Sequence, residues 1–156
     1  MRFMGTDFFE DNLDLAVNED DPAALQAAVQ ELPETNAAFI NLYTPLLAAR
    51  ESPDRVLTLL QDLYENSEIQ WPRKLHDIAM AAAYFGHPRF ALQVKKTDID
   101  TNPSRTAAIW YPIMSEVRQL AEFKDFVREM NLVEYWHAHG WADACRPLSD
   151  SDFTCT

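Results

Sequence analysis

Apolar residues recur along most of the chain at the spacing of one face of an α-helix. After Pro53, for example, the apolar residues Val56, Leu59, Leu60 and Leu63 follow an i, i+3, i+4, i+7 pattern. This spacing places them on a single side of a helix. Similar stripes follow other prolines, and no segment shows the strand alternation bounded by turns that is typical of hairpins. The pattern therefore predicts an all-α protein.

Prolines mark where these helices begin. Four of them follow a residue suited to an N-cap, in the pairs Asp21-Pro22, Ser52-Pro53, His87-Pro88 and Asn102-Pro103. Proline fits the first helical turn, where its missing N–H has no partner to lose. The combined pattern predicts helices over residues 7–17, 22–32, 36–50, 53–65, 72–85, 88–96, 104–120 and 122–139. Short linkers favour antiparallel helical hairpins.

Length and composition favour one globular domain. The chain has 156 residues, of which 47% are apolar, enough to bury a core. We interpret residues 1–156 as a single helical domain. It comprises acidic N-terminal helices over 1–34, about three helical hairpins over 36–139 and an irregular C-terminal tail over 140–156.

Charge is strongly negative and uneven. The net charge is −12, and residues 1–34 contain nine acidic residues and one basic residue. Such a surface repels phosphate backbones, so we expect no direct binding of nucleic acid. Residues 72–97 contain five Lys or Arg and one acid. These are either solvated helix faces or complementary surfaces within the fold or between copies, which makes a homo-dimer one candidate assembly. We also expect no membrane span and no signal peptide.

The middle hairpin resembles the tetratricopeptide (TPR) repeat. Predicted hairpins begin near residues 36, 72 and 104, close to the repeat length of about 34 residues. The segment LHDIAMAAAYFGHPRFAL places residues of the repeat's usual size at Leu75, Ile78, Ala79, Gly86 and Ala91, and Pro103 at the proline that ends the unit. The resemblance implies a right-handed solenoid of stacked hairpins. The chain departs from the motif at Ala82, Lys95 and Asp98, and a helical bundle with the same spacing remains the alternative.

The C-terminal third resembles the end of bacterial TPR-containing proteins, including membrane-tethered winged-helix regulators. The matching residues are Trp110-x-Pro112, Val117-Arg118, Phe123, Phe126, Asn131-Leu-Val-Glu-Tyr-Trp136, Gly140 and Ala144-Cys-Arg-Pro147. Glycine is usual in the family at Asn131. The resemblance implies a sensory or interaction domain. It implies a periplasmic location if the chain belongs to a membrane-tethered regulator, and otherwise a cytoplasmic one.

Two cysteines and two histidines near the C-terminal end are candidate sites. Cys145 and Cys155 either form a disulfide or remain free thiols, and the sequence leaves both open. Phe153 is expected to anchor the tail beside Trp136 or Trp141. His137 and His139 have the wrong spacing for ligands on one helical face. We therefore predict no metal site and no cofactor.

Function is predicted in two alternatives. The first is a protein- or peptide-binding module without enzymatic activity, because no catalytic constellation is visible. Its candidate binding residues, expected on an exposed inner face of the hairpins, are Asn41, Tyr43, Arg73, His76, Asp77, Tyr84 and Tyr111. The alternative is a small-molecule-sensing or hydrolytic helical protein with an internal pocket, which needs clustered polar residues inside the bundle.

Overall fold

The structure is a computed structural model that describes Ala16 and residues 21–149 and 152–156. Most of these residues are helical, so the all-α prediction is confirmed at that level. The helices are α1 (Pro22–Glu31), α2 (Ala37–Ala49), α3 (Pro53–Glu65), α4 (Lys74–Tyr84), α5 (Pro88–Thr101), α6 (Ser115–Arg118), α7 (Ala121–Glu129) and α8 (Leu132–His139). Three 3₁₀ segments cover Glu34–Asn36, Pro103–Trp110 and Pro112–Met114. Apart from Ala16, the predicted helix 7–17 lies outside the described residues.

The four prolines that follow a candidate N-cap residue each open a helix, as predicted. The Asp21 carboxylate accepts hydrogen bonds from the amides of Ala23 and Ala24, and the Asn102 side chain accepts one from Ser104. These bonds satisfy amides that lack a partner within the helix. Ser52 and His87 make no such bond, so their prolines mark the helix start without a side-chain cap.

The single helix predicted over residues 104–120 is wrong. The segment consists of the 3₁₀ turns Pro103–Trp110 and Pro112–Met114, followed by the short α6. The physical reason is Pro112, whose ring excludes the helical conformation for the residue before it. Tyr111 is accordingly extended, with ψ 147°. The chain turns at this point instead of continuing as one rod.

The predicted helix 122–139 is divided into α7 and α8. Asn131 adopts the left-handed conformation with φ 57°, which ends α7 before α8 begins at Leu132. Asparagine tolerates this conformation better than most residues, though glycine does so with less strain. In the opposite direction, α5 extends five residues beyond the predicted end at 96 and finishes at Thr101.

The hairpin of α4 and α5 forms the most extensive helix–helix contact of the described chain. Ala79 and Ala91 are both 0% exposed. Small side chains at these positions allow two helices to approach closely. Gly86, at the turn between them, has φ 80°, which a side chain would strain.

The tail contains a β-hairpin and is therefore less irregular than predicted. Strand β1 (Cys145–Pro147) pairs antiparallel with β2 (Phe153–Cys155). A disulfide joins Cys145 to Cys155, which lie directly opposite each other in the ladder. Of the two states that the sequence left open, the structure contains the crosslink. It ties the two ends of the hairpin together.

Phe153 anchors this β-hairpin, as expected. It is 0% exposed, and its ring centroid lies 5.8 Å from those of both Trp136 and Trp141. Tyr135, in contrast, is 58% exposed. Edge-to-face and tilted contacts of this kind add to the burial of apolar area.

Arg118 connects the β-hairpin to the interrupted segment before α6. It is only 6% exposed. Its guanidinium donates to the backbone carbonyl of Thr156 at 2.6 Å and to those of Ile109 and Tyr111 at 2.8 Å. Arginine carries five donors in a fixed fork, so one side chain can satisfy carbonyls from separate segments. These bonds hold the backbone where regular helix is absent.

Within the described ranges, no helix is both long and apolar enough to cross a membrane.

Asn131 provides a test of the break between α7 and α8. We expect Asn131→Val to destabilise the protein by about 1–2 kcal/mol, because a branched side chain clashes in the left-handed conformation. Asn131→Gly should be neutral or stabilising. Urea unfolding of both variants and the parent measures this. If valine is tolerated as well as glycine, the left-handed turn is not formed in solution.

Candidate functional site

A buried cluster of charged residues lies where α5 meets the following 3₁₀ segment. The Asp98 carboxylate accepts a hydrogen bond at 2.6 Å from the ammonium of Lys95 and another at 2.6 Å from the guanidinium of Arg105. Lys95 and Asp98 are both 0% exposed. Two cations thus share one carboxylate, which is the pairing that a buried charge requires.

His76 on α4 extends the cluster towards the neighbouring helix. Its Nδ1 lies 3.2 Å from the Nζ of Lys95. Burial lowers the pKa of His76 to about 3, and the positive charges of Lys95 and Arg73 lower it in the same direction. His76 is therefore neutral at physiological pH, and its Nδ1 accepts a hydrogen bond from the ammonium of Lys95.

Asp77 forms the second carboxylate of the cluster. It is 2% exposed, and it accepts a 2.6 Å hydrogen bond from the indole N–H of Trp71. The guanidinium of Arg73 lies 3.6 Å away, at the i−4 position on the same side of the chain. Asp77 therefore fixes the orientation of the Trp71 ring at the start of α4.

An open groove of about 350 Å³ lies beside this cluster. Trp71 and Arg105, which contact the buried carboxylates, also line the groove. The buried ammonium of Lys74 lines it as well and donates to the backbone carbonyl of Asn66 at 2.5 Å. The complete lining is Tyr64, Glu65, Ser67, Gln70, Trp71, Pro72, Lys74, Leu75, Thr101 and Arg105. The groove combines two aromatic side chains with polar groups held from beneath, an arrangement typical of binding sites.

A larger cleft, of about 450 Å³, lies between α1 and α2. Its two charged lining residues are Arg50 and Glu51, whose side chains lie 3.5 Å apart. These charges compensate each other, and no buried polar cluster lies among the lining residues. The groove beside Trp71 is therefore the better candidate site despite its smaller volume.

Three of the seven predicted binding residues belong to the cluster. Arg73, His76 and Asp77 lie together at the start of α4. The expected exposure is wrong for His76 and Asp77, and also for Tyr43, which is 3% exposed and belongs to the core. Polar side chains were expected to face solvent, but here they find partners inside the protein.

The other three predicted residues lie away from the groove. Asn41 is exposed on α2. Tyr84 packs edge-to-face on Phe85 at 5.0 Å, at the far end of α4 from Trp71. Tyr111 is 40% exposed at the break before Pro112. The structure thus does not assemble all seven residues into one binding face.

Sequence reasoning missed Lys74, Lys95, Asp98 and Arg105, although two of them carried a signal. Positions 91, 94, 95 and 98 follow the i, i+3, i+4, i+7 pattern of a buried face. Ala91 and Val94 occupy it as expected, and Lys95 and Asp98 occupy the remaining two positions. Opposite charges three residues apart on a core-facing stripe indicate a buried ion pair.

The buried charged groups of the cluster bond to one another beneath the groove. His76, Lys95 and Asp98 do not line the groove, so a substrate there would not reach them. Among the described residues, no group of three His, Cys, Asp or Glu side chains could hold a metal ion. His137 instead packs on Trp141, and His139 on Tyr135. The groove has the mixed aromatic and polar lining that is common in binding sites, and the cluster beneath it holds Trp71 and Arg105 in place.

Comparison with known proteins adds no relative, since no family, curated protein or solved structure matches this chain.

Because two cations share the Asp98 carboxylate, loss of Asp98 should destabilise the protein more than loss of Lys95. We expect Asp98→Ala to destabilise the protein by about 3–5 kcal/mol, because it leaves the buried Lys95 without a counter-ion. Lys95→Met should cost clearly less, since Asp98 keeps its bond to Arg105 and methionine fills the volume of the lysine stem. Urea unfolding of both variants tests this order. An equal or larger loss for Lys95→Met would contradict the proposed pairing.

The depressed pKa of His76 predicts a pH dependence of stability. Below about pH 6.5 the unfolded chain gains a proton at this residue, whereas the folded chain does not until about pH 3. The free energy of unfolding should therefore fall as pH decreases through this window, by up to about 1.4 kcal/mol per pH unit from this group.

The control is His76→Gln, which cannot titrate and should show a shallower slope than the parent. Denaturant unfolding between about pH 6.5 and pH 4.5 avoids most carboxylate titration. Burial also lowers the pKa of His87, so some slope in the same direction should persist in the variant. Identical slopes in the two proteins would show that His76 is not buried as a neutral imidazole.

Proposed function

We propose that the protein is a protein- or peptide-interaction module that docks its partner in the groove beside Trp71. The observation that carries the proposal is the groove itself, which combines an oriented indole with cationic side chains. Its geometry is held by Asp77 and Asp98 beneath it. A preorganised surface binds with less loss of conformational entropy than a mobile one.

The architecture that accompanies this proposal is a TPR-like stack of helical hairpins. Antiparallel packing of α4 on α5, with alanines at their contact and Gly86 at their turn, supports it. Stacked hairpins expose extended surfaces between successive units, which is how such repeats bind peptides. As part of the same proposal, the chain has no catalytic role and serves as the sensory or interaction part of a bacterial regulator.

A second candidate is a helical protein that binds a small molecule in an internal pocket. The buried polar cluster around Lys95 favours it, because that hypothesis requires polar residues inside the bundle. Against it, the side chains of Lys95, His76 and Asp98 bond to one another or to Arg105 and do not line the groove. Native mass spectrometry of the purified protein distinguishes this candidate, since it requires a bound small molecule.

Peptide selection with site-directed crosslinking tests the docking surface. Peptides are selected from a random display library against the whole chain. A photoreactive benzoylphenylalanine is then placed at Gln70, which is exposed in the groove, or at Gln119, which is exposed after α6. Both variants replace an exposed glutamine, so they are matched in chemistry. The selected peptides should crosslink from position 70 and not from position 119.

Two results would contradict the proposal. Equal crosslinking from both positions would show that the groove is not the docking surface. Failure to enrich any peptide over the empty support would count against a peptide-binding module altogether.

A further inference from the structure

Lys74 is a buried cation whose partner is neutral. The residue is 6% exposed, and its ammonium donates to the backbone carbonyl of Asn66. Among the described residues, no carboxylate lies within 4.0 Å of it. Burial lowers the pKa of Lys74 accordingly. A buried ammonium with only a neutral acceptor is costly, and an anion brought beside it would relieve that cost.

Arg105 brings a second cation to the same groove. Its guanidinium is held at two points, by the Asp98 carboxylate at 2.6 Å and by the carbonyl of Pro72 at 2.9 Å. A guanidinium has five N–H donors, so these bonds leave donors for a ligand. Its side chain is 25% exposed, so a ligand in the groove can reach it.

The buried carboxylates near the groove are paired with groups other than Lys74. Asp77 bonds to Trp71 and Arg73, and Asp98 is shared by Lys95 and Arg105. Among the described residues that line the groove, the single acid is Glu65, which is exposed at the end of α3, where water screens its charge. Among the described residues that line the groove, Lys74 is therefore a buried charge without a carboxylate nearby.

We propose that the groove binds an acidic side chain of a partner polypeptide, with its carboxylate paired to Lys74 and Arg105. This inference rests on the proposed function and names the chemistry of the partner segment. Ammonium and guanidinium donors give charge-assisted hydrogen bonds to a carboxylate, which are stronger than neutral ones. The fixed indole of Trp71 offers a flat surface for the residue next to that acid.

The peptides selected on the whole chain provide the probe. They should be enriched in Asp or Glu, and replacement of one such acid by Asn or Gln should weaken binding about tenfold or more in calorimetric titration. Lys74→Met should cause a loss of similar size for the acidic peptide and almost none for its amide counterpart. Lys96→Met is the matched control, because Lys96 lies on α5 outside the groove and pairs with Glu129.

A stability measurement separates a binding role from a structural one. Methionine matches the stem of lysine without its charge, so Lys74→Met should melt at the same temperature as the parent or above it. A variant that loses affinity while keeping its stability supports the proposal. If Lys74→Met unfolds, binding is measured with Lys74→Arg, which should restore affinity for acidic peptides by retaining the charge.

Other outcomes would overturn the inference. Selected peptides that crosslink at position 70 but lack acids, or that bind Lys74→Met as tightly as the parent, would contradict the acidic partner while leaving the interaction module intact. Glutarate that binds as tightly as any peptide would reassign the groove to small carboxylates. Absence of any selected peptide would contradict both the inference and the proposed function.

Discussion

The position of the end of α5 depends on the hydrogen bonds that the buried Asp98 carboxylate accepts. The carboxylate accepts from Lys95 one turn earlier on α5 and from Arg105 in the following 3₁₀ segment. Arg105 in turn donates to the carbonyl of Pro72, just before α4. Three separate parts of the chain therefore meet at one buried charge. Desolvation offsets much of the attraction in such a pair, so its main consequence is to fix positions and not to add stability.

The local rules of helix initiation were enough to predict much of the helical region. Proline at the first turn marked the starts of α1, α3 and α5, and the apolar stripes marked their buried faces. The two helices that were wrongly predicted as continuous also have local causes for their breaks. Pro112 and Asn131 each end a helix through backbone sterics, and both signals were present in the sequence. The continuous apolar spacing across them concealed the breaks.

The β-hairpin of the tail could not be predicted in the same way. Each strand is only three residues long, too short for a recognisable alternation. A local disulfide closes the hairpin. Contacts with residues earlier in the chain then hold it, namely the burial of Phe153 between two tryptophans and the ion pair of Lys124 with Asp152. Periodicity reports which face of an element is buried, and it does not report which distant segment covers that face.

The sequence predicted only part of the candidate site, because charged side chains were expected to be exposed. Arg73, His76 and Asp77 were among seven residues expected on an exposed face, but the partners that bury His76 and Asp77 lie on other segments. Lys95 and Asp98 were visible in the sequence as departures from the motif that the hairpin resembles. A buried ion pair in a packed hairpin is costly unless further groups complete its hydrogen bonds. Arg105 is such a group, and it lies in the 3₁₀ segment after α5, outside the helical periodicity on which the prediction rests.

An acidic partner is compatible with a chain of net charge −12. Repulsion from the exposed acids and attraction to Lys74 act over different distances. Repulsion between exposed charges is screened within about 8 Å at physiological ionic strength. Attraction at Lys74 acts in a partly desolvated groove, where screening is weaker. Long-range repulsion would therefore slow the encounter with any acidic protein. It would not prevent binding of a segment whose carboxylate can reach the buried ammonium. The groove would then discriminate among acidic partners by shape and reach, because a surface carboxylate that cannot enter experiences only the repulsion.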